Sequence, residues 1–308
     1  MIAAWRWSLL AFGTSGIKLR AISELLFPNE LSPRLVMKTK AKTSRGSFPF
    51  LPCIISVALA ILAGCYVNPV TGRSYTVLTS VGEEVKMGAQ AFDGIKKEEK
   101  ISRNPEANAR VQRIAGRLAE VIGEAVPEAN WEFVVFDSDT LNAFALPGGK
   151  VGVYTGLMNL LDDDDELAAV IGHEIGHVVA RHGGKRMSQG IIVGVIGAVG
   201  GAMVENTELF KQAYGGITNA AFVLPHSRKD EQEADMMGLH YAALAGYDPE
   251  AAVRVWQKMD AVSKPESAPP AWLSTHPTNA QRIADLSKAA PKYRDTYLAN
   301  KDRFADRS

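Results

Sequence analysis

Apolar positions recur at three- and four-residue intervals from about Val81 to Glu124, first in VGEEVKMGAQAFDGIKKEEK and then in PEANARVQRIAGRLAEVIGE. In the second stretch Val111, Ile114, Leu118 and Ile122 share one face, so the period predicts two amphipathic scaffold helices. The segments WEFVVFD (131–137) and KVGVYTGL (150–157) are instead rich in Val and aromatic residues, bracket Pro147-Gly148-Gly149, and predict strands of a small sheet. A helical pattern returns in LAAVIGHEIGHVVARHGG, behind the acids Asp162 to Asp165, which suit an N-cap and first turn at the positive end of a helix dipole. The acids have neither the ligand spacing nor the loop glycine of a calcium site. Gly183-Gly184 predicts the end of this helix, and a second is expected from Lys185 into GIIVGVIGAVGGAMV (190–204). That run is apolar on all sides but shorter than the about 20 residues a spanning helix needs, which predicts a buried or membrane-grazing hairpin. Helices are expected over 227–247 and 249–262, then a Pro-rich loop, PESAPPAWLSTHP, and a last helix from near Thr278. No internal repeat is present. The fold class is α+β, mainly helical, with a small sheet beside the helix that carries HEIGH.

Charge adds an exclusion. Lys plus Arg and Asp plus Glu both total 34 in 308 residues, so no net field points to nucleic acid or to an acidic partner. The two cysteines, Cys53 and Cys65, lie in or beside one hydrophobic N-terminal segment, which excludes a disulfide framework. That segment, MKTKAKTSRGSFPFLPCIISVALAILAGC (37–65), is basic and then apolar and ends in small residues, as a secretory signal does. Pro49 and Pro52 interrupt it and argue against a membrane-spanning anchor. Its end, Leu62-Ala63-Gly64-Cys65, resembles the lipobox of bacterial lipoproteins, in which the cysteine is lipidated and becomes the first residue. The expected organisation is an upstream extension from a misassigned start (1–36), a lipoprotein signal (37–64), a linker to the lipid anchor (65–80), the main domain (81–290) and a tail (291–308). Tyr66, where an Asp would resemble an inner-membrane retention signal, favours attachment to the periplasmic face of the outer membrane.

In His173-Glu174-Ile175-Gly176-His177 the histidines are four residues apart, so on a helix both imidazoles project from one face and can grip one zinc ion. Glu174 follows the first histidine, where it can reach a metal-activated water without ligating the metal. A catalytic zinc takes three protein ligands and keeps one open position. Candidates for the third are Asp230, Glu231, Glu233, Asp235 and the later histidines. Glu231 and Asp235 lie on one helical face with Glu233 turned away, and Glu231 as ligand leaves Asp235 to accept the spare ring N–H of a ligand histidine. His182, His226 and His240 are read as structural, His182 as the end of the motif helix beside its dipole.

HEIGHVVARH, SRKDEQEAD and the upstream NAFALPGGK together resemble the HtpX, CAAX-prenyl-protease and Oma family of zinc peptidases, over about Val81 to Leu286. The lipobox makes the chain most similar to the periplasmic, outer-membrane-associated branch of BepA and LoiP. By that resemblance the fold is zincin-like, His173, His177 and Glu231 match the ligands of one zinc per chain, and Glu174 matches the catalytic glutamate. The resemblance also implies envelope quality control: unfolded or misassembled envelope polypeptides as substrates, and outer-membrane assembly machinery as a partner. Asn142-Ala143-Phe144 and Lys150 to Tyr154 are strand candidates whose open edge could bind an extended substrate. His276, in LSTHPTNAQR with Pro277 in the first turn of the next helix, is a capping or surface residue, a reversible inhibitory fourth ligand, or a transition-state stabiliser. Arg282 would then stabilise a developing oxyanion. Two other functions fit the same residues: an assembly chaperone with structural zinc, and another metal-dependent hydrolase.

Overall fold

The computed structural model describes residues 64–126, 128–199, 226–263, 270–277 and 280–304. The upstream extension, the signal through Ala63 and positions 200–204 of the glycine-rich run lie outside the described residues. The first elements are a hairpin, β1 (Cys65–Val67) and β2 (Ser74–Thr76), and the helices α1 (Val81–Glu98) and α2 (Pro105–Ile122). Ser80 and Glu83 form a reciprocal capping box at the start of α1, and Asn104 caps α2 ahead of a proline in its first turn. The predicted stripe of α2 is buried: Val111, Ile114, Leu118 and Ile122 pack into the main core.

The sheet contains β3 (Glu132–Phe136), β4 (Ala143–Leu146) and β5 (Lys150–Tyr154) in the order β3-β5-β4. β3 and β5 pair in parallel, whereas β4 and β5 are the hairpin closed by Pro147-Gly148-Gly149. The turn therefore joins Ala143–Leu146, not 131–137, to the next strand. β5 is buried along its whole length between its neighbours and has no open edge, which corrects the expectation for Lys150 to Tyr154. β4, with Ala143 and Phe144, is an edge strand.

After α3 (Thr155–Leu160) comes the motif helix α4 (Asp164–Val179), capped by the Asp163 side chain on the Glu166 amide. The acids before and in its first turn meet basic side chains: Arg110 and Arg113 of α2 on Asp164, and Arg254 and Lys258 of α7 (Ala251–Val262) on Glu166. α4 ends at Val179, before the expected glycines. Arg181 takes a left-handed φ of 51°, and its guanidinium holds the carbonyl of Thr79 and the carboxylate of Glu84 at 2.7 Å each. α5 (His182–Val199) starts at once, so Gly183-Gly184 fall in its first turn and His182 opens this helix instead of ending α4. A Cβ on Gly184 would lie 2.1 Å from Oε1 of Glu84, so the glycine admits that carboxylate rather than stopping a helix. Among the described residues no helix is long and apolar enough to cross a membrane.

α6 (Arg228–Leu244) packs along α4, and α7 packs on α4 as well. Leu167, Ile171 and Ile175 of α4, Met237 and Leu239 of α6 and Val255 and Met259 of α7 are buried in the main core, each contributing about 1.5–3 kcal/mol by removal from water. α8 (Ala271–Thr275), α9 (Ala280–Ala289), a 3-10 turn and α10 (Arg294–Asn300) follow among the described residues, so the helix after Thr278 is not the last. Two regions expected to be peripheral are built in. In the segment read as a linker, Tyr66 and Tyr75 donate to the carbonyls of Val179 and Ala180, satisfying acceptors that the end of α4 leaves open. In the segment read as a tail, α10 packs on α6, and Phe304 is buried with its carbonyl accepting from Arg117.

Candidate active site

The site begins with two helices that touch through their backbones. A Cβ on Gly176 of α4 would lie 3.0 Å from the carbonyl oxygen of Ala234, and one on Gly238 of α6 would lie 3.1 Å from the amide nitrogen of His173. This approach sets Glu231 beside the histidine pair. His173 Nε2 and His177 Nε2 are 3.1 Å apart, and the carboxylate oxygens of Glu231 lie 3.5 Å from the first and 3.3 Å from the second. From the end of α8, His276 Nδ1 comes within 3.2 Å of His173 Nε2 and 3.1 Å of Glu231 Oε1. All four residues are buried, and their ligand atoms lie within 4.8 Å of one another.

These separations fit a metal. Donors held tetrahedrally on zinc at ~2.0–2.1 Å stand about 3.3 Å apart. Asp235 Oδ1 accepts from His173 Nδ1 at 2.9 Å, which leaves the His173 lone pair on Nε2, aimed at His177. Two ring nitrogens at 3.1 Å need a proton or a metal cation between them. The carboxylates favour positive charge at His173. Burial pulls the His173 imidazole down, but Asp235 and Glu231 outweigh it and raise its pKa to about 9. Burial would raise Glu231, yet His276, His173 and His177 hold it well below the usual carboxylate range. His177, desolvated and next to His226, is driven well below the ordinary histidine value.

Glu174, buried on the same turn as His173, lines a cleft of ≈ 230 Å³ with His177 and His276. Asn142, Ala143 and Phe144 line the same cleft, so all three expected substrate residues border it with the motif. The indole N–H of Trp272 donates to Glu174 Oε1 at 2.6 Å, and its ring stacks on Trp256 at 4.6 Å. The sequence reading missed Trp272, because a lone tryptophan in a Pro-rich stretch has no spacing that ties it to the motif.

His276 is the C-cap of α8, its N–H bonded to the Trp272 carbonyl at 2.8 Å, and α9 begins only at Ala280. The expectation that it stands at the entry of the following helix is therefore corrected: a turn of helix behind it holds its backbone. Arg282 is also placed differently. Its Nη1 lies 2.5 Å from Glu231 Oε2, Nε and Nη2 bind the two oxygens of Asp235 at 2.7 and 2.8 Å, and its guanidinium lies 3.5 Å over Trp256. It clamps two carboxylates and does not line the cleft with Glu174, so its donors are committed away from an oxyanion. Glu233 is turned away as expected, onto Asn68, Thr71, Arg73 and His182.

The chain matches the family model described as Peptidase family M48 over residues 105–290. It is 36% identical to the mitochondrial metalloendopeptidase OMA1 of Schizosaccharomyces pombe over 59% of this chain and 52% of that protein. It is 31% identical to the human metalloendopeptidase OMA1 over 73% of this chain and 46% of that one. It is 26% identical to the beta-barrel assembly-enhancing protease of Escherichia coli over 77% of this chain and 50% of the relative. The chain thus spans about half the length of these relatives.

Proposed function

The chain belongs to peptidase family M48, and on that premise we propose that it is a zinc-dependent endopeptidase acting on unfolded or misassembled cell-envelope proteins. The observation that carries this reading is the donor set of His173, His177 and Glu231, spaced 3.1–3.5 Å apart, with Glu174 beside it on the wall of the cleft.

Bound there, zinc would supply Lewis acidity toward the scissile carbonyl and the attacking water. Glu174 takes the proton from that water and delivers it to the leaving amine. Trp272 occupies Oε1 of Glu174 and thereby orients the carboxylate, leaving Oε2 for the proton. Among the described residues the outer edge of β4 pairs with no strand, and an extended chain adds there. Binding of that kind reads backbone more than side chain, which suits unfolded clients of varied sequence. His276, with Nδ1 3.2 Å from Nε2 of His173, acts as a reversible fourth donor that covers the site until substrate arrives. Replacement of His276 by Ala is then expected to raise cleavage of a small unfolded substrate with zinc retained; unchanged activity counts against this.

Lipidation at Cys65 and attachment to the periplasmic face of the outer membrane complete the reading. Cys65 is exposed and free at the start of β1, accessible to modification. Assembly machinery of the outer membrane is the proposed partner, supported by the name of the Escherichia coli relative. The enzymatic claim is tested by casein cleavage: Glu174→Gln should retain about one zinc per chain and lose about 10²–10⁴-fold in rate, and wild-type activity in that variant would refute it.

A further inference from the structure

Behind His177, on the side away from the cleft, lies a second buried polar cluster that the proposed chemistry does not use. His182 is fully buried, with Nδ1 2.8 Å from Nδ1 of His177. Its other nitrogen, Nε2, is 3.2 Å from Glu233 Oε2 and 3.6 Å from Asp230 Oδ1. His182, Asp230 and Glu233 stand close enough to hold a metal of their own, but cations already fill that role. Lys185 Nζ is 2.5 Å from Asp230, and Arg73 Nη1 is 2.6 Å from Glu233. Glu233 is fixed further by the β1–β2 hairpin, accepting from Asn68 at 2.7 Å and Thr71 at 2.5 Å.

We propose that His182, anchored by Glu233, is a positioning residue that holds His177 in its metal-binding tautomer and orientation. The inference rests on the reading of His177 as a zinc ligand. A nitrogen–nitrogen contact of 2.8 Å carries one proton, and the neighbouring groups decide whose it is. Both carboxylates face Nε2 of His182, so that nitrogen bears the hydrogen and donates to Glu233. A neutral imidazole then has only a lone pair on Nδ1, and the shared proton belongs to His177 Nδ1. His177 is left with its lone pair on Nε2, the atom that faces His173 and Glu231. The opposite assignment would protonate His177 Nε2 and remove a ligand.

The two motif histidines are thus oriented by different means. His173 meets a carboxylate directly, Asp235, one turn beyond Glu231 on α6. His177, at the last turn of α4, meets Glu233 through an interposed imidazole. The left-handed turn at Arg181 makes this geometry, because it folds the start of α5 back so that His182 meets the ring of His177 edge-on.

Partners that orient a metal-bound histidine are worth about 10–100-fold in metal affinity. The experiment is chelator competition on the full chain, giving zinc dissociation constants for wild type, His182→Phe, His182→Gln, Glu233→Leu and, as a control, His177→Ala. His182→Phe keeps a planar ring but can neither accept from His177 nor donate to Glu233, and should weaken zinc about 10–100-fold. His182→Gln supplies both an acceptor oxygen and a donor amide and should recover most of that loss, a rescue that a purely space-filling role would not give. Cobalt substituted for zinc should show an altered visible absorption in His182→Phe and a near-native one in His182→Gln. Wild-type affinity in His182→Phe, or equal losses in Phe and Gln, overturns the proposal. Should His182→Phe fail to fold, Glu233→Leu, which leaves His182 Nε2 no acceptor at this position, decides: weakened zinc supports the relay, and unchanged affinity overturns it. If His177→Ala binds zinc as tightly as wild type, the ligand set itself is wrong; if only that control loses zinc, the ligand set stands and the relay falls.

Discussion

Trp272 and Glu174 come from parts of the chain that share no pattern, yet the indole N–H and the carboxylate meet at 2.6 Å in a buried setting. Trp272→Phe keeps most of the stacking on Trp256 and removes one donor. It is expected to lower kcat by about 10-fold with zinc content and KM nearly unchanged, since it disturbs the orientation of the general base. Steady-state kinetics with metal analysis reads this, and an unchanged kcat would mean that the contact does not position Glu174. Legibility at this scale followed periodicity. His173, Glu174 and His177 share one motif, and Glu231 and Asp235 repeat the four-residue step, so helix geometry places them among the candidates and the family resemblance singles out Glu231. Arg282 was singled out, but its commitment to Glu231 and Asp235 depends on how α9 packs on α6, which no local spacing encodes. His182 was seen and misplaced, because its meaning changes with the helix to which it belongs.

At the scale of elements the site depends on the contact between α4 and α6. Gly176 and Gly238 let the two backbones touch, and this contact holds Glu231 within 3.5 Å of both histidines. Gly238→Val places a branched side chain against the backbone of His173, forcing the helices apart. Zinc affinity should fall by at least ~10-fold while the circular dichroism of the helices persists, because buried apolar faces on α2, α4 and α7 still hold the bundle. Native affinity in that variant would show that the close approach is dispensable. The amphipathic helices were legible in the sequence because one face of each must be apolar. The boundary between α4 and α5 was not, since a non-glycine residue, Arg181, takes the left-handed conformation on the strength of contacts to Thr79 and Glu84, far away in sequence. Strand order failed for the same reason. A Pro-Gly-Gly turn announces a hairpin, but only tertiary packing decides that β5 also pairs in parallel with β3.

For the whole molecule, the ends of the described chain are structural. The hairpin that begins at Cys65 closes over the end of α4 and grips Glu233, while Phe304 is buried against Arg117. Polar, short-strand segments such as 65–80 look like linkers because their partners are backbone carbonyls and buried carboxylates, which leave no hydrophobic period. The proposed lipid anchor would sit directly before this hairpin. Mass spectrometry of the mature N-terminus from cells should find acylated Cys65 as the first residue, whereas residues retained before it would remove the anchor. The central claim, that one zinc is held by His173, His177 and Glu231 where Glu174 can use it, is tested most directly by anomalous diffraction at the zinc edge. One peak at ~2.0–2.2 Å from Nε2 of both histidines and from a Glu231 oxygen is the expected result. A zinc-loaded crystal with no peak there, or with its peak among His182, Asp230 and Glu233, would contradict it.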